Sequence, residues 1–415
     1  MQHFGYVNGQ LAAEDVSLAD IAERFGTPCY VYSRAAIEQQ WQAYDLAFAG
    51  RPHLICYAVK ANSNLAVLNI LARLGSGFDI VSAGELERAL KAGAETSQIV
   101  FSGVGKSRAE IARALQAGIK CFNIESRSEL LRLHEVAAGV NSIAPVALRV
   151  NPDVDAKTHH YIATGLKENK FGIPCEEAMD VYDMARSLRH IRVTGIASHI
   201  GSQITTLAPY LDAMDRLTGL MEALRARGVE LQHIDIGGGL GIRYHDETPP
   251  SPQEFVRALC AVLADGSRQI LLAPGRSITG NAGILLTRVE YLKENSGKNF
   301  AVVDAAMNDL LRPALYEAWQ EILPLRQHSD AVPVRYDIVG PVCESADFIG
   351  LDRELALREG DMLAVCSAGA YGFCMSSNYN SRPRVAEIMI DGDRAFEIRR
   401  RQTMRSLMTG ETMLP

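Results

Sequence analysis

Between residues 53 and 275 the chain repeats one pattern about eight times: a short, β-rich, continuously apolar run ends in a polar residue and leads into a helical stretch. The runs are His53 to Val59, Phe78 to Ser82, Ile99 to Ser102, Cys121 to Glu125, Val146 to Asn151, Val193 to His199, His233 to Ile236 and Ile270 to Ala273. Strands that are apolar on both faces suit a parallel sheet covered on both sides, and the intervening helices supply the crossovers that such a sheet requires. The segment Ala83 to Leu90 shows the helical half of the unit, with Leu86, Ala89 and Leu90 on one face and Glu85 and Arg88 outward. An open doubly wound sheet shares this repeat, but eight units favour an α/β fold closed as a (β/α)8 TIM barrel.

After residue 276 the rhythm changes. Arg288 to Lys293, Phe300 to Val303, Arg335 to Val339, Met362 to Cys366, Arg384 to Ile390 and Phe396 to Arg400 read as strands with few helices between them, and Leu310 to Ile322 reads as a helical insert. Phe4 to Leu11, with a turn at Asn8-Gly9, has the signature of a β-hairpin. A chain of 415 residues exceeds what one core usually holds. The expected division is a barrel over 30–275 and a C-terminal all-β domain, 276–415, that also takes in the N-terminal strands of 1–29.

Composition narrows the function. A hydrophobic content of 47% with 22% charged residues is that of a globular protein, and a net charge of -7 argues against a nucleic-acid binder. The one basic run, Arg399-Arg400-Arg401, reads as a solvated strand end. The first residues lack a charged segment followed by an apolar one, and no run reaches the length of a membrane span, so a cytoplasmic protein with no membrane partner is expected. The eight cysteines form no C-x-x-C pair, which leaves no metal site in view and makes most of them reduced, buried side chains.

In a TIM barrel, chemistry belongs at the carboxyl ends of the strands. The first run ends in Lys60. An isolated lysine there is more often a side chain snorkelling out of the sheet, whereas a catalytic one needs a desolvated site that frees its amine. The sixth run leads into Ser198-His199-Ile200-Gly201-Ser202-Gln203, where the histidine is either a strand cap or an imidazole stacked on a ring, with Ser202 near a phosphate. The seventh leads into Gly237-Gly238-Gly239-Leu240-Gly241, either a tight turn or a cradle whose backbone N–H groups, at Gly238 and Gly239 above all, surround an anion. This is not G-x-G-x-x-G, because Ile242 stands where the last glycine belongs, and Gly103-Val104-Gly105-Lys106-Ser107 is not a P-loop, because Val100 replaces the leading glycine. The eighth run leads into Ala273-Pro274-Gly275-Arg276, which sets a guanidinium at the barrel mouth. Lysine, histidine, cradle and arginine together describe a phosphate-bearing carbonyl cofactor, pyridoxal 5'-phosphate. In the β-rich part, Gly340 to Asp347 joins Cys343 to Glu344, either an inert loop or a thiol–carboxylate pair, and Arg312, Tyr316 and Tyr371 lie near turns.

Taken in order, these segments resemble the diaminopimelate decarboxylases, a family of fold-type III pyridoxal-phosphate decarboxylases related to the alanine-racemase barrels. The resemblance extends from Phe25-Gly26-Thr27-Pro28 to the triple arginine and includes Tyr57 to Asn64, Phe78 to Glu85, His199 to Gln203, Gly237 to Gly241, Val303 to Tyr316, Cys343-Glu344 and Ser367 to Asn380. It implies decarboxylation of meso-2,6-diaminopimelate to L-lysine and CO2, the last step of bacterial lysine synthesis. It implies that Lys60 bonds the cofactor, that His199 stacks on its ring, and that Gly239 with Ala273, Pro274, Gly275 and Arg276 holds it. Arg276, Arg312, Tyr316, Glu344 and Tyr371 would bind substrate, Tyr371 also touching cofactor, and Cys343 would donate the proton. The resemblance further implies a homodimer with shared active sites, Cys343 and Glu344 reaching the partner subunit.

One departure stands out: the family carries glutamate before Pro-Gly-Arg, facing the ring nitrogen, and this chain has Ala273. A slowed enzyme, a carboxylate or water from elsewhere, or a changed balance of reactions would follow. Smaller departures stand at His160 and Ser345-Ala346. The alternatives are a decarboxylase of another basic amino acid or a carboxy-polyamine, a racemase-like activity, and a non-catalytic pyridoxal-phosphate binder, which would need neither the second domain nor Cys343-Glu344.

Overall fold

The computed structural model describes residues 3–155, 164–165, 169–263, 266–328 and 332–415, so His160 lies outside the described residues. The chain divides into two compact units, one of residues 38–242 and 248–277, the other of residues 1–37, 243–247 and 278–415.

The first unit is a closed parallel barrel. Its strands are β1 (His53–Ala58), β2 (Gly77–Ile80), β3 (Ile99–Phe101), β4 (Cys121–Ile124), β5 (Ala144–Asn151), β6 (Ile191–Ala197), β7 (His233–Asp235) and β8 (Gln269–Leu272). Each pairs in parallel with the next, and β8 closes on β1 with Ile270, Leu271 and Leu272 opposite His53, Leu54 and Ile55. The eight apolar runs are these strands; seven stop one or two residues before the end of the run, where the backbone leaves the ladder to enter the barrel mouth, and β5 continues to Asn151 itself. Lys60 accordingly sits on a one-turn 3-10 helix, Val59–Ala61, just past β1.

Alternation along the strands sends every second side chain inward. Leu54, Cys56, Val100 and Leu271 form one interior cluster and Cys121, Ala147 and Ala197 another. The buried His233 imidazole is accommodated only because residue 195 is glycine: a Cβ there would lie 2.3 Å from Nε2 of His233. The helices between strands start on sequence-encoded caps, Ser82, Ser107 and Ser126 each accepting from the N–H of a glutamate three residues on.

The second unit is a mixed β-sheet in the order Phe348–Leu355, Val334–Val339, Lys298–Val303, Gly283–Asn295, Cys29–Ser33, Ala386–Asp391, Arg394–Arg399. Cys29–Ser33, which sequence reading missed, is fully buried in the middle, antiparallel to Gly283–Asn295 and parallel to Ala386–Asp391. Phe4–Val7 and Gln10–Ala13 form the expected hairpin, with Asn8 and Gly9 both at positive φ as a two-residue primed turn requires.

Two expectations are corrected. The helical insert over Leu310 to Ile322 shrinks to Arg312–Tyr316, because Glu317 turns left-handed at φ 50° and Ile322–Pro324 instead pairs with Met362–Val365. The triple arginine is not simply solvated: Arg399 pairs with the buried Glu387, and Arg401 donates to the carbonyls of Phe25, Gly26 and Pro28 at 3.3, 3.1 and 2.8 Å.

Gly195→Ala is expected to destabilise the protein by about 1–3 kcal/mol through overpacking against His233. Urea unfolding measures this, and His233→Ala in the same background should restore part of the loss.

Candidate active site

The inward positions at the carboxyl ends of the barrel strands carry the polar side chains that the apolar runs concealed. Asp79, the penultimate residue of β2, lies on the face that Cys56 and Val100 share, and Ser102, Asn123, Arg149 and Asp235 occupy corresponding places on or after β3, β4, β5 and β7. All but Arg149 are linked to Lys60. Lys60 Nζ lies 3.2 Å from Asp79 Oδ2, Ser102 donates to Asp79 Oδ1 at 2.5 Å, and Asn123 Nδ2 donates to Ser102 Oγ at 3.1 Å and to Asp235 Oδ2 at 2.8 Å. Asp235 also accepts the Gly237 N–H at 2.8 Å. The lysine side chain remains 39% exposed, so its amine is both ion-paired and accessible.

Arg149 anchors the opposite wall. It donates to Glu125 Oε1 at 2.7 Å, and Glu125 in turn accepts the N–H of Gly172 at 2.8 Å and of Gly103 at 3.2 Å. The lysine of the glycine-rich stretch at 103–107 is a strut and not a phosphate ligand: Lys106 Nζ is buried on the carbonyls of Gly103 and Asn123, each at 2.7 Å, and on Glu129 at 2.6 Å.

His199 faces this network from beyond β6. Its Nδ1 accepts the Gly238 N–H at 3.2 Å, which leaves the ring proton on Nε2. Desolvation, reinforced by the Arg149 and Lys60 cations, pushes its pKa well below the ordinary histidine value, so the imidazole is neutral. The glycine segment packs tightly on its neighbours: a Cβ on Gly238 would lie 2.0 Å from the Ala273 carbonyl oxygen and one on Gly239 2.2 Å from that of Gly201. Gly237 and Gly239 also adopt positive φ. Arg276, buried at the end of the Ala273-Pro274-Gly275 turn, donates to Ser202 Oγ at 3.1 Å. Lys60, His199, Ser202, Gly238, Gly239 and Ala273 to Arg276 therefore all belong to one unit, at the carboxyl end of its strands.

These residues fit pyridoxal phosphate. An accessible amine held by a carboxylate, an uncharged flat imidazole, a glycine segment with close backbone approach, and a buried arginine beside a serine hydroxyl suit its aldehyde, ring and phosphate.

The remaining predicted residues lie in the second unit. Arg312 is buried with its guanidinium 4.4 Å over the Tyr244 ring, and Tyr316 lies one turn further along the same short helix. Cys343 is exposed, and the neighbouring Glu344 accepts the Tyr379 hydroxyl at 2.7 Å. Tyr371 holds a left-handed backbone at φ 55°. Sequence reading assigned no role to Asp79, Ser102, Asn123, Glu125, Arg149 or Asp235. Their only signal was a single polar residue on the inward parity of an otherwise apolar strand, or just beyond its end.

Residues 34–280 match the family described as pyridoxal-dependent decarboxylase, pyridoxal binding domain. The chain is 59% identical over 415 residues, all of each chain, to the diaminopimelate decarboxylase of Pseudomonas aeruginosa. The chain belongs to the diaminopimelate decarboxylase family. Among solved structures, the diaminopimelate decarboxylase of Helicobacter pylori complexed with L-lysine is 41% identical, with a TM-score of 0.91 over 94% of this chain and 98% of that one. The M. jannaschii diaminopimelate decarboxylase, also with L-lysine, is 36% identical, with a TM-score of 0.95 over 99% and 98%. As a diaminopimelate decarboxylase family member the chain is a pyridoxal-phosphate enzyme and an amino-acid decarboxylase. No described helix is long and apolar enough to cross a membrane, and no group of three or more His, Cys, Asp or Glu among the described residues could hold a metal ion.

Buried titratable groups make this barrel's stability depend on pH in two opposing ways. His233 is pushed down to about 4 by desolvation, then by Lys120, so below its ordinary 6.5 the unfolded chain binds a proton that the folded chain refuses, and stability falls as pH drops to about 4. Asp235 is raised from 3.8 to about 6, by desolvation first and then by Asp79, so the folded chain keeps its proton longer and stability falls as pH rises through that window. His233→Gln is expected to remove a slope of up to about 1.4 kcal/mol per pH unit between the two histidine values. Urea unfolding of both proteins across that range measures it.

Proposed function

We propose that this chain converts meso-2,6-diaminopimelate to L-lysine and CO2, with Lys60 bonding the cofactor. The observation that carries the reading is the accessible Lys60 amine, paired with Asp79 at the mouth of a barrel whose whole length aligns with diaminopimelate decarboxylases.

When bound, pyridoxal phosphate supplies an electron-accepting ring for the charge left as CO2 departs. The chain's residues do the rest. Lys60 would hold the cofactor through its amine, and Asp79, 3.2 Å away, balances the charge of that amine when it is free. His199, uncharged, offers a flat face that does not compete for the ring's electrons. The Gly238–Gly239 segment, Ser202 and the Ala273-Pro274-Gly275-Arg276 turn would hold the phosphate end, and Arg276 would also steer a substrate carboxylate.

A substrate with a second amino-acid head needs a cation for its far carboxylate and an anion for its far ammonium. Arg312 and Glu344 are suited to these, with Tyr316 and Tyr371 as hydrogen-bonding partners. A substrate lacking that second carboxylate would leave one arginine idle, which favours diaminopimelate over other basic amino acids. Cys343 serves as the acid that protonates the α-carbon. Its exposure, with that of Glu344, supports a homodimer in which both reach the partner subunit's site. The eight free cysteines, four of them buried, support a reducing, cytoplasmic location.

Incubation with meso-diaminopimelate should yield lysine and CO2 in equal amounts; absence of lysine would refute the substrate assignment. Lys60→Ala should abolish both turnover and the visible absorbance of the purified protein. Cys343→Ala should keep that absorbance and lower kcat by about 10²–10⁴-fold. Position 273 has the inward parity of Leu271, so Ala273→Glu should bring a carboxylate to the ring and raise kcat; an unchanged kcat would mean that another group already serves.

A further inference from the structure

The hydrogen bonds that run inward from Lys60 have a direction, and it is set at their far end. Asp235 lies at the end of β7, buried, and its two oxygens accept from Asn123 Nδ2 at 2.8 Å and from the Gly237 N–H at 2.8 Å. An ionised carboxylate can only accept, so it draws the amide nitrogen of Asn123 and excludes the amide oxygen. The second hydrogen on that nitrogen points to Ser102 Oγ at 3.1 Å. Ser102, already accepting, turns its own hydrogen to Asp79 Oδ1 at 2.5 Å, and the other oxygen of Asp79 faces Lys60 Nζ at 3.2 Å.

The orientation of Asn123 is maintained against a local penalty. Its Oδ1 is buried and has no hydrogen-bond partner among the described residues. Turned over, the amide would present that oxygen to Asp235 and Ser102. Ser102 would then donate to Asn123 instead of Asp79, and Asp79 would lose the bond that fixes its carboxylate plane.

We propose that Ser102, Asn123 and Asp235 are positioning residues that hold Asp79 against Lys60 and so set the protonation of the lysine amine. All three act on Lys60 through Asp79. Asp235 orients Asn123, Asn123 orients the Ser102 hydroxyl, and Ser102 locks Asp79 with one oxygen aimed at the amine. A fixed opposite charge favours the ammonium form, so loss of the lock lowers the lysine's affinity for its proton. The other charged groups that act on this region are Glu85, beside Lys60, and Arg149 with its partner Glu125, while His199 stays neutral. Burial lifts Asp235 to about 6, so above that pH it is ionised as the chain requires.

The inference rests on the reading of Lys60 as the cofactor-bearing amine, but its test does not need the cofactor. In full-length protein freed of cofactor, the amine of Lys60 is labelled by a limiting pulse of acetic anhydride across a pH series, and the Lys60 peptide is quantified by mass spectrometry. The midpoint of that profile is the amine's pKa. Ser102→Ala removes a hydroxyl without changing charge, and Asp235→Asn is nearly isosteric; circular dichroism and urea unfolding confirm that each remains folded.

Ser102→Ala is expected to lower the Lys60 midpoint by about half a pH unit or more. Asp235→Asn should lower it at least as far, since it loses both the chain and a charge. The double variant should match Asp235→Asn alone, because Ser102 has nothing left to transmit once Asn123 can turn. An unchanged midpoint in Ser102→Ala, or shifts that simply add in the double variant, would overturn the proposal. If wild-type protein shows no visible absorbance on adding pyridoxal phosphate, the cofactor reading fails instead, and the labelling profiles still report on the chain.

Discussion

The backbone pairing of β8 with β1 is the constraint on which the barrel unit depends. With Ile270 to Leu272 bonded alongside His53 to Ile55, no strand has a free edge, and the inward side chains have nowhere to go but into one another. Leu54, Cys56, Val100 and Leu271 fill that interior without polar atoms apart from the thiol. Apart from His233 at the start of β7, the polar side chains described here gather toward the carboxyl ends of the strands and just beyond them. Lys60, Asp79, Ser102, Asn123, Arg149 and Asp235 converge there because parallel strands in register all end on the same side.

Closure also determines how those groups are charged. An apolar plug below the mouth removes water from one side of every ion, and an isolated charge so placed is several kcal/mol less stable than in solvent. Three of the cations here are paired with an anion: Lys106 with Glu129, Arg149 with Glu125, and Lys60 with Asp79. The pairs are connected. Glu129 accepts the Glu125 N–H at 2.8 Å, and Arg149 reaches the His199 carbonyl at 3.4 Å, so a continuous polar frame runs from the loop after β3 to the residue expected to face the cofactor ring. Removing one member would strand its partner, which is more damaging than never having had the pair.

This explains what could be read from the sequence. The eight strands, Lys60, His199 and the glycine segment were legible because uninterrupted apolar runs announce a parallel sheet, and the residues after them announce its mouth. Asp79, Asn123 and Asp235 sit inside those runs, where one polar residue looks like a weaker strand until the strand's inward parity is known. The second unit was less legible because its order depends on remote pairing. Cys29–Ser33 finds its neighbours at Gly283–Asn295 and Ala386–Asp391, which no local pattern specifies. Leu310 to Ile322 has enough apolar residues for a helix, but the strand Met362–Val365 claims its end. Arg401 looked solvated because nothing nearby in sequence reveals the three carbonyls that it caps.

The loop carrying Cys343 follows the opposite logic to Lys60. Its rigidity comes from Asp347, whose carboxylate accepts the N–H of Val342 and of Met307, each at 2.6 Å, while its backbone carbonyl accepts that of Gly340 at 3.1 Å. Gly340 allows this closeness, since a Cβ there would lie 2.5 Å from an Asp347 carboxylate oxygen. Desolvation raises the pKa of Asp347, and those backbone donors hold it down, so the buried carboxylate is occupied in shaping the loop. Cys343 and Glu344 are thereby turned outward on a fixed frame, with Cys343 N–H bonded to Asn380 at 3.1 Å and Glu344 to Tyr379. A thiol meant for its own core would be packed, as Cys29, Cys56, Cys121 and Cys366 are. A thiol presented rigidly to solvent beside a carboxylate suits a group that acts outside the fold that bears it, and for that reason Cys343 is the residue around which the proposed dimer is built.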